Sequence, residues 1–304
     1  MAPPPAHRYD RWPARMRRPV AWAARSVLGA PRVIVADLCW RLGDEVMALP
    51  ILEALRTRYP ADHIAVLANH PVLFEGRPFA DSVNEVPRTP DRYLLLRGVP
   101  RTVARIAAYA RNAGVPVPRL RPHLFWDDWD TPQLAHVPAG PGPLIALAPG
   151  AGWPTTRWPA AHWQALADVL RARGCRVCEL GFTDEAAGVT PSLCGQTDVR
   201  AAACLLHACD LCIACDSGLL HLALAAHTPA VGLFGPTDPE ILIQDEPNFF
   251  AVHAKRRCAA PWNVPGPEPA RGACPEGPPC CMATITVDDV VAAVERRLLL
   301  PPGA

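Results

Sequence analysis

The sequence contains three short apolar segments, each followed by a polar or glycine-containing loop and then by a helical pattern. These segments are VIV from Val33, LIALA from Leu144 and LCIAC from Leu211. Apolar runs of this length that alternate with helices are typical of buried parallel strands, because consecutive parallel strands need a crossover connection. The pattern therefore predicts an α/β chain built from β-α-β units.

Proline and glycine residues mark where the helices of these units begin and end. The first helical pattern ends near Arg58, and Pro50 either kinks that helix or restarts it. Pro159 marks the start of the second helix, and Gly174 marks its end. One apolar face of this second helix consists of Trp163, Leu166, Ala167 and Leu170.

The third unit leads into further predicted elements. Asp216 and Ser217 follow its strand and can cap the next helix. The buried face predicted for that helix consists of Leu219, Leu222, Ala223 and Ala226. A strand is expected at 230–235, and Thr286 with Asp289 resembles a capping box before a last helix.

A proline-rich stretch at 116–143 separates two regions of this pattern. It predicts irregular structure followed by an interdomain linker. We expect an N-terminal doubly wound domain at 32–138 and a C-terminal one at 139–304. Residues 1–31 form a separate basic segment.

The basic segment has two interpretations. Residues 1–32 carry seven arginines against one acid, Asp10. They form either a solvated tail or an interfacial segment on anionic lipid, and Pro13 and Pro19 interrupt any long helix. No segment is apolar enough to predict a membrane span or a secretory signal. The net charge of +1 provides no field that would attract nucleic acid, so none is expected as a partner.

Polar groups follow several of the predicted strands. They are Asp44, the loop Gly150–Arg157, Glu185 and the turn Asp216–His221. Ligands of doubly wound sheets bind beyond the carboxyl ends of the strands, so these positions predict a binding site. The chain lacks the G-x-G-x-x-G of nicotinamide dehydrogenases and the G-x-S-x-G of α/β hydrolases, which disfavours both classes.

Three blocks resemble glycosyltransferase family 9, the heptosyltransferase-like enzymes of lipopolysaccharide assembly. They are LGDEVMALPILEALRTRYP from Leu42, IALAPGAGWPTTRWPAAHWQALADVLRARGCRV from Ile145 with the following GFTDE, and DSGLLHLALAAHTPAVGLFGPTDP from Asp216. CMATIT from Cys281 completes the set, in the order of the family.

The resemblance implies a GT-B architecture, in which two Rossmann-like domains face each other across a cleft. The C-terminal domain would hold a nucleotide-activated sugar, ADP-heptose in the best-known members. The N-terminal domain would present a lipopolysaccharide-type or other envelope glycan acceptor. The implied reaction is an inverting transfer that needs no metal or other cofactor. It would take place in the cytoplasm, where the enzyme can contact the anionic inner membrane.

The resemblance also assigns residue roles. Asp44 matches the general base that takes the acceptor proton, and the alternative is a carboxylate that only caps its helix. Gly150, Ala151 and Gly152 would let the backbone approach the donor diphosphate, and the alternative is a plain glycine turn. Glu185 matches the position that binds the nucleotide ribose, and the alternative is a solvated loop acid.

The third block matches the D-[ST]-G-x-x-H motif of the family. Its residues Asp216, Ser217, Gly218 and His221 would bind phosphate or sugar hydroxyls. The alternative is a capping Asp216 and a packed or surface His221.

One position departs from the family pattern. Many members carry a phosphate-pairing lysine where this chain has Thr156, and the adjacent Arg157 could substitute for it. This departure, with a short first domain, motivates a second hypothesis from another class. The chain would then be a nucleotide-sugar-binding protein with weak or lost transferase activity.

The cysteines near the C-terminus leave two alternatives open. Cys258, Cys274, Cys280 and Cys281 form either a structural zinc or disulfide site or unpaired loop thiols. Four other cysteines in apolar context are predicted to be buried thiols, namely Cys204, Cys209, Cys212 and Cys215.

Overall fold

A computed structural model describes residues 31–96, 103–117, 119–124, 126–256, 274 and 281–298. Contacts divide the chain into two compact units. Unit 1 comprises residues up to 99 and 105–120, and unit 2 comprises 100–104 and 121 onwards. The basic segment, apart from Pro31, lies outside the described residues.

Unit 1 contains a parallel sheet with the strand order β3-β2-β1-β4. Its strands are β1 (Val33–Asp37), β2 (His63–Leu67), β3 (Ser82–Val83) and β4 (Arg92–Leu95). Its helices are α1 (Leu42–Met47), α2 (Leu49–Arg58) and α3 (Arg105–Ala113). Residues 33–37 are all buried, as expected for a central strand covered on both faces.

Unit 2 contains a parallel sheet with the order β6-β5-β7-β8-β9. Its strands are β5 (Leu144–Ala148), β6 (Arg176–Glu179), β7 (Leu211–Cys215), β8 (Ala230–Phe234) and β9 (Phe249–His253). Its helices are α4 (Ala160–Ala172), α5 (Val199–His207), α6 (Gly218–Ala225), α7 (Pro239–Leu242) and α8 (Val287–Leu298). The predicted α/β class with parallel sheets is therefore confirmed.

Each sheet reverses its strand order at one point, and this reversal positions the candidate sites. In unit 1 the chain moves outward from β1 to β2 and β3, and then returns to place β4 on the other side of β1. In unit 2 the reversal lies between β5 and β7. Doubly wound sheets bind ligands at such switch points, beyond the carboxyl ends of the flanking strands.

Several local predictions are confirmed. The helix restarts near Pro50, because α1 ends at Met47 and α2 begins at Leu49. The predicted apolar face of α4 is buried in the core of unit 2, and Trp163 is fully enclosed. Gly174 has a φ of +81°, a left-handed conformation that glycine adopts without steric cost.

The predicted buried face of α6 is confirmed for Leu222, Ala223 and Ala226, but burial is not confined to one face. Residues 220–225 are all buried, whereas Leu219 is only partly buried. The helix packs against β7, β8 and α5, so nearly all of its surface is covered. Because this helix is covered on nearly every side, its apolar residues show no 3.6-residue period from which one buried face could be identified.

Residues 121–138 lie with unit 2, although the sequence placed them in the first domain. The backbone N–H of Leu124 donates to the carbonyl of Ala225 at 2.9 Å. The Trp129 ring stacks on His207, with ring centroids 4.1 Å apart. These contacts tie an irregular stretch to the helices of unit 2.

The capping box before α8 is present and yields a test of stability. The Asp289 carboxylate accepts from the backbone N–H of Thr286 at 2.8 Å, and the Thr286 hydroxyl accepts from the Asp289 N–H at 3.2 Å. Hydrogen bonds from Thr286 and from Lys255 lower the pKa of Asp289 from 3.8 to about 2. A carboxylate with a depressed folded-state pKa stabilises the fold above its unfolded-state pKa, and that contribution is lost as the pH falls through the folded-state value.

We therefore expect Asp289→Ala to lower the free energy of unfolding at pH 6 by about 1 kcal/mol. The difference from wild type should shrink as the pH falls from about 4 towards about 2, between the two pKa values. Urea unfolding at several pH values measures it. The control is Asp288→Ala, at the exposed acid of the same turn. An equal loss in both variants would contradict the assigned cap.

Candidate functional site

The first candidate centre is Asp44, in the first turn of α1. The Tyr109 hydroxyl donates to Asp44 Oδ1 at 2.7 Å, and Arg105 Nε lies 3.8 Å from the same oxygen. Neither contact involves Oδ2. Tyr109 and Arg105 belong to α3, which follows β4, whereas Asp44 follows β1. The two strands that flank the switch point of unit 1 thus both contribute to this centre.

The helix-cap alternative for Asp44 does not fit its position. The N-cap residue of α1 is Arg41, which forms no side-chain cap hydrogen bond, and Asp44 lies inside the helix. Its carboxylate instead contacts a residue 65 positions away in sequence. Asp44 is 16% exposed, so the carboxylate stays accessible from outside.

Tyr109 is a hydrogen-bond donor to this carboxylate over the whole physiological pH range. The residue is fully buried, and burial together with the negative charge of Asp44 raises the pKa of the phenol well above its usual value of 10. The hydroxyl therefore keeps its proton and points it at Asp44 Oδ1. This fixes the orientation of the carboxylate.

Glu45 fixes the loop that precedes α1. It is fully buried, and its Oε1 accepts from the backbone N–H of Asn69 at 2.7 Å. Its Oε2 accepts from the backbone N–H of His70 at 3.0 Å and lies 2.9 Å from His70 Nδ1. Oε1 also accepts from the backbone N–H of Trp40 at 3.4 Å, so one side chain joins the loops that follow β1 and β2. The rigid loop in turn places Asp44 at the edge of the sheet.

The second candidate centre lies at the carboxyl ends of β5 and β6 in unit 2. A Cβ built at Gly150 would lie 2.0 Å from Glu185 Oε2, so glycine is required for the Glu185 carboxylate to pack over this loop. The space beside the Cα atom of Gly150 is therefore filled by the side chain of Glu185. Ala151 is buried and Gly152 is exposed.

Arg157 turns back over the same loop. Its Nε donates to the carbonyl of Ala151 at 3.1 Å, and its Nη2 lies 4.0 Å from Glu185 Oε1. Neither contact uses Nη1, which carries further N–H donors. The guanidinium is 39% exposed, so a positive charge is held at the edge of the sheet and is accessible to an anion.

Thr156, where the resemblance implies a lysine in many family members, faces inward. It is 1% exposed, and its hydroxyl donates to the carbonyl of Trp153 at 3.1 Å within a 3-10 turn. The only cation that this turn presents is therefore the neighbouring Arg157.

Three hydroxyls near the carboxyl ends of adjacent strands have no hydrogen-bond partner within the described part of the chain. They belong to Thr155, Ser217 and Thr237, which follow β5, β7 and β8, and their oxygen atoms are buried. Buried polar atoms are nearly always paired in folded proteins. These three hydroxyls lie on one sheet edge, where they are available to a polar ligand.

The Asp216–His221 turn connects β7 to α6. Ser217 is the N-cap residue of α6, but its hydroxyl forms no cap hydrogen bond, contrary to the predicted cap. Gly218 is the first helical residue, and Asp216 is partly buried at the strand end. His221 is 6% exposed and lies inside the packed helix. The structure thus places Asp216, Ser217 and Gly218 at the switch point, one turn from a buried histidine.

Eight of the ten described cysteines are buried thiols, whereas Cys194 and Cys274 are partly buried. The predicted burial of Cys204, Cys209, Cys212 and Cys215 is confirmed. Burial raises the pKa of Cys215 to about 12. Cys258 and Cys280 lie outside the described residues. Cys281 is buried beside Gly235, where a built Cβ would lie 2.8 Å from its sulfur.

Within the described residues, no group of three or more His, Cys, Asp and Glu side chains is arranged to hold a metal ion. No helix in the same ranges combines the length and apolar character needed to traverse a bilayer.

Several residues of these centres were not identified from the sequence. No motif links Tyr109 and Arg105 to Asp44, and Tyr109 lies 65 positions away in the sequence. Thr237 could have been found, because it follows β8 just as Ser217 follows β7.

Residues 96–261, more than half of the chain, match the family model of glycosyltransferase family 9 (heptosyltransferase). Lipooligosaccharide heptosyltransferase 2 of Haemophilus influenzae is 34% identical over 182 residues, which are 49% of this chain and 53% of that protein. The chain spans between about a third and about half of the length of the first curated relatives, 33% and 53%.

Solved structures resemble the whole fold. Escherichia coli ADP-heptose lps heptosyltransferase II has a TM-score of 0.61 at 20% identity and covers 88% of this chain and 98% of that one. The dodecameric iron-containing heptosyltransferase TibC of enterotoxigenic E. coli, solved with ADP-D-beta-D-heptose, has a TM-score of 0.72 at 17% identity. It covers 88% of this chain and 77% of its own. The predicted GT-B fold class is thereby confirmed.

Proposed function

The chain belongs to glycosyltransferase family 9, the heptosyltransferase family, and we propose that it transfers a sugar from a nucleotide-diphosphate donor to an envelope glycan. ADP-heptose is the proposed donor, and a lipopolysaccharide-type glycolipid is the proposed acceptor. The donor proposal draws on the relative solved with ADP-D-beta-D-heptose, and the acceptor proposal on the lipooligosaccharide heptosyltransferases.

The observation that carries the proposal is the set of polar groups at one edge of the sheet of unit 2. An exposed guanidinium, unpaired hydroxyls and a carboxylate lie at the ends of neighbouring strands there. Arg157 supplies charge for a diphosphate, Ser217 and Thr155 supply hydroxyls, and Glu185 can accept from the two hydroxyls of a ribose. The exposed Gly152 supplies backbone next to the buried Gly150 and Ala151, and Asp216 and Gly218 lie at the end of β7, with His221 packed behind them.

The proposed reaction is an inverting displacement. Asp44 takes the proton of an acceptor hydroxyl as that oxygen attacks the anomeric carbon of the donor. The bond from this carbon to the diphosphate oxygen breaks, and the diphosphate leaves with the electron pair. Arg157 and the nearby hydroxyls stabilise the negative charge that develops on the leaving group. Every group in this scheme belongs to the chain or to its two substrates.

The alternative is a protein of the same family that binds nucleotide sugars with weak or lost turnover. The inward orientation of Thr156 favours this alternative, because the family lysine is replaced by a side chain that cannot reach a ligand. Arg157 opposes it, because its charge is available at the neighbouring position.

Turnover with a defined donor separates the two functions. Purified protein is incubated with ADP-heptose and a glycolipid extract of truncated lipopolysaccharide, and ADP release is measured beside Asp44→Ala. The proposal expects acceptor-dependent ADP release by wild type, and loss of that release with retained donor binding in the variant. Wild type that binds the donor without any release, across extracts of different core structure, would support the binding protein instead.

Tyr109→Phe tests the orientation of the base. The ring is kept, but the hydroxyl that donates to Asp44 Oδ1 is removed. We expect kcat to fall about tenfold, the equivalent of one hydrogen bond, whereas the donor KM stays within about twofold. Tyr93→Phe, which removes a tyrosine–aspartate hydrogen bond between two strands of the same unit, is the control. Equal losses in both variants would indicate a general loss of structure instead.

A further inference from the structure

Phe182 is the most exposed large apolar residue in the described part of the chain. Its exposed fraction is 67%, against 47% for Leu95 and 38% for Trp40. It stands at the carboxyl end of β6, three residues before Glu185. Beside a polar site, this exposed ring offers a flat apolar surface that the ring of a ligand can cover.

The backbone of Phe182 is held firmly although its ring is exposed. Its N–H donates to Glu185 Oε2 at 3.2 Å, and its carbonyl accepts from the Glu185 N–H at 3.0 Å. The ring is therefore presented by the same short turn that orients the Glu185 carboxylate.

A second loop, which contains Gly195, packs against this turn. The N–H of Gly195 donates to the carbonyl of Gly181 at 2.8 Å. A Cβ at Gly195 would lie 2.0 Å from Thr183 Oγ1, so the Thr183 side chain fills the space that this glycine leaves. The ring thus stands on a scaffold that needs little reorganisation when a ligand binds.

The strand order gives the direction in which a donor would extend. The sheet runs β6-β5-β7-β8, with Ser217 after β7, Arg157 after β5, and Glu185 and Phe182 after β6. A diphosphate near Ser217 and Arg157 and a ribose at Glu185 place the next part of the molecule at the outer, β6 side. In a nucleoside diphosphate sugar that next part is the base.

We propose that Phe182 stacks on the nucleobase of the donor and favours a purine over a pyrimidine. This inference rests on the proposed function and names the residue that recognises one part of its substrate. Stacking of a base on an aromatic ring tolerates any base but strengthens with the size of the base. The larger adenine ring system covers more of Phe182 than uracil does.

Titration calorimetry with ADP, UDP and pyrophosphate tests this inference on the full chain. We expect Phe182→Ala to weaken ADP binding about tenfold, to weaken UDP binding less, and to leave pyrophosphate binding unchanged. Phe182→Trp should keep the ADP affinity. Leu95→Ala, at the other strongly exposed apolar side chain, is the control for lost apolar surface and should match wild type.

The outcomes are distinguishable. If wild type binds ADP and Phe182→Ala binds it equally well, the stacking role is overturned and the proposed function stands. Equal losses for ADP and pyrophosphate would also overturn it, because the substitution would then have disturbed the phosphate site through Glu185. Wild type that binds neither ADP nor pyrophosphate would overturn the proposed function and the stacking role with it.

Discussion

Asp44→Asn is expected to lower kcat for sugar transfer by about 100- to 10,000-fold, the usual contribution of a general base. The amide is isosteric, and its oxygen can still accept the hydrogen bond from Tyr109. It cannot take a proton from an acceptor hydroxyl. Donor affinity should stay within about twofold, because Asp44 acts on the acceptor in the proposed reaction.

Two further measurements make the Asp44 result specific. Glu75→Gln, which removes an exposed acid of unit 1, should leave kcat unchanged. The thermal midpoint of Asp44→Asn should match wild type. A variant that retains more than about a tenth of wild-type kcat would exclude Asp44 as the base, given the usual size of such an effect.

The second large effect is expected for Arg157→Ala. Hydrogen bonds to a charged ligand contribute about 1.5–3 kcal/mol each, so donor Kd should rise about 10- to 100-fold. The value of kcat should also fall, because negative charge on the diphosphate grows as the glycosidic bond breaks. Calorimetry with ADP and steady-state kinetics measure the two effects separately.

The conservative and control variants identify the cause. Arg157→Lys should bind ADP with intermediate affinity, because lysine keeps the charge and loses the Nε bond to the Ala151 carbonyl. Arg171→Ala removes an arginine of nearly equal exposure, 37% against 39%, on α4, and should have no effect on ADP binding. If Arg157→Ala bound ADP with wild-type affinity, Arg157 would have no role in binding the donor phosphates. That result would favour the alternative of a nucleotide-sugar-binding protein that holds its donor in another way.

The strands were predictable because their apolar character is continuous. Five consecutive buried residues, as in Leu144–Ala148 and Leu211–Cys215, are consistent only with central strands once a helix follows them. The helix α4 was predictable from its period, since one face is buried and the other is solvated. Helix α5 and strand β9 were not assigned, because Val199–His207 is apolar nearly throughout and Phe249–His253 is an edge strand of mixed burial.

The candidate site could be predicted where its residues directly follow strands in the sequence. Glu185 and Ser217 lie at strand ends, so the parallel topology brings them to one edge. The partners of Asp44 were not predictable, because Tyr109 contributes through a long-range contact that no spacing encodes. The orientation of Arg157 towards the Ala151 carbonyl also depends on a loop conformation that the sequence alone leaves open.

The most direct test of the central claim is a crystal structure of the chain with ADP-heptose bound. We predict that the diphosphate lies within hydrogen-bond distance of the Arg157 guanidinium and the Ser217 hydroxyl, with the ribose at Glu185. A donor bound elsewhere, with Arg157 and Ser217 both uncontacted, would contradict the account.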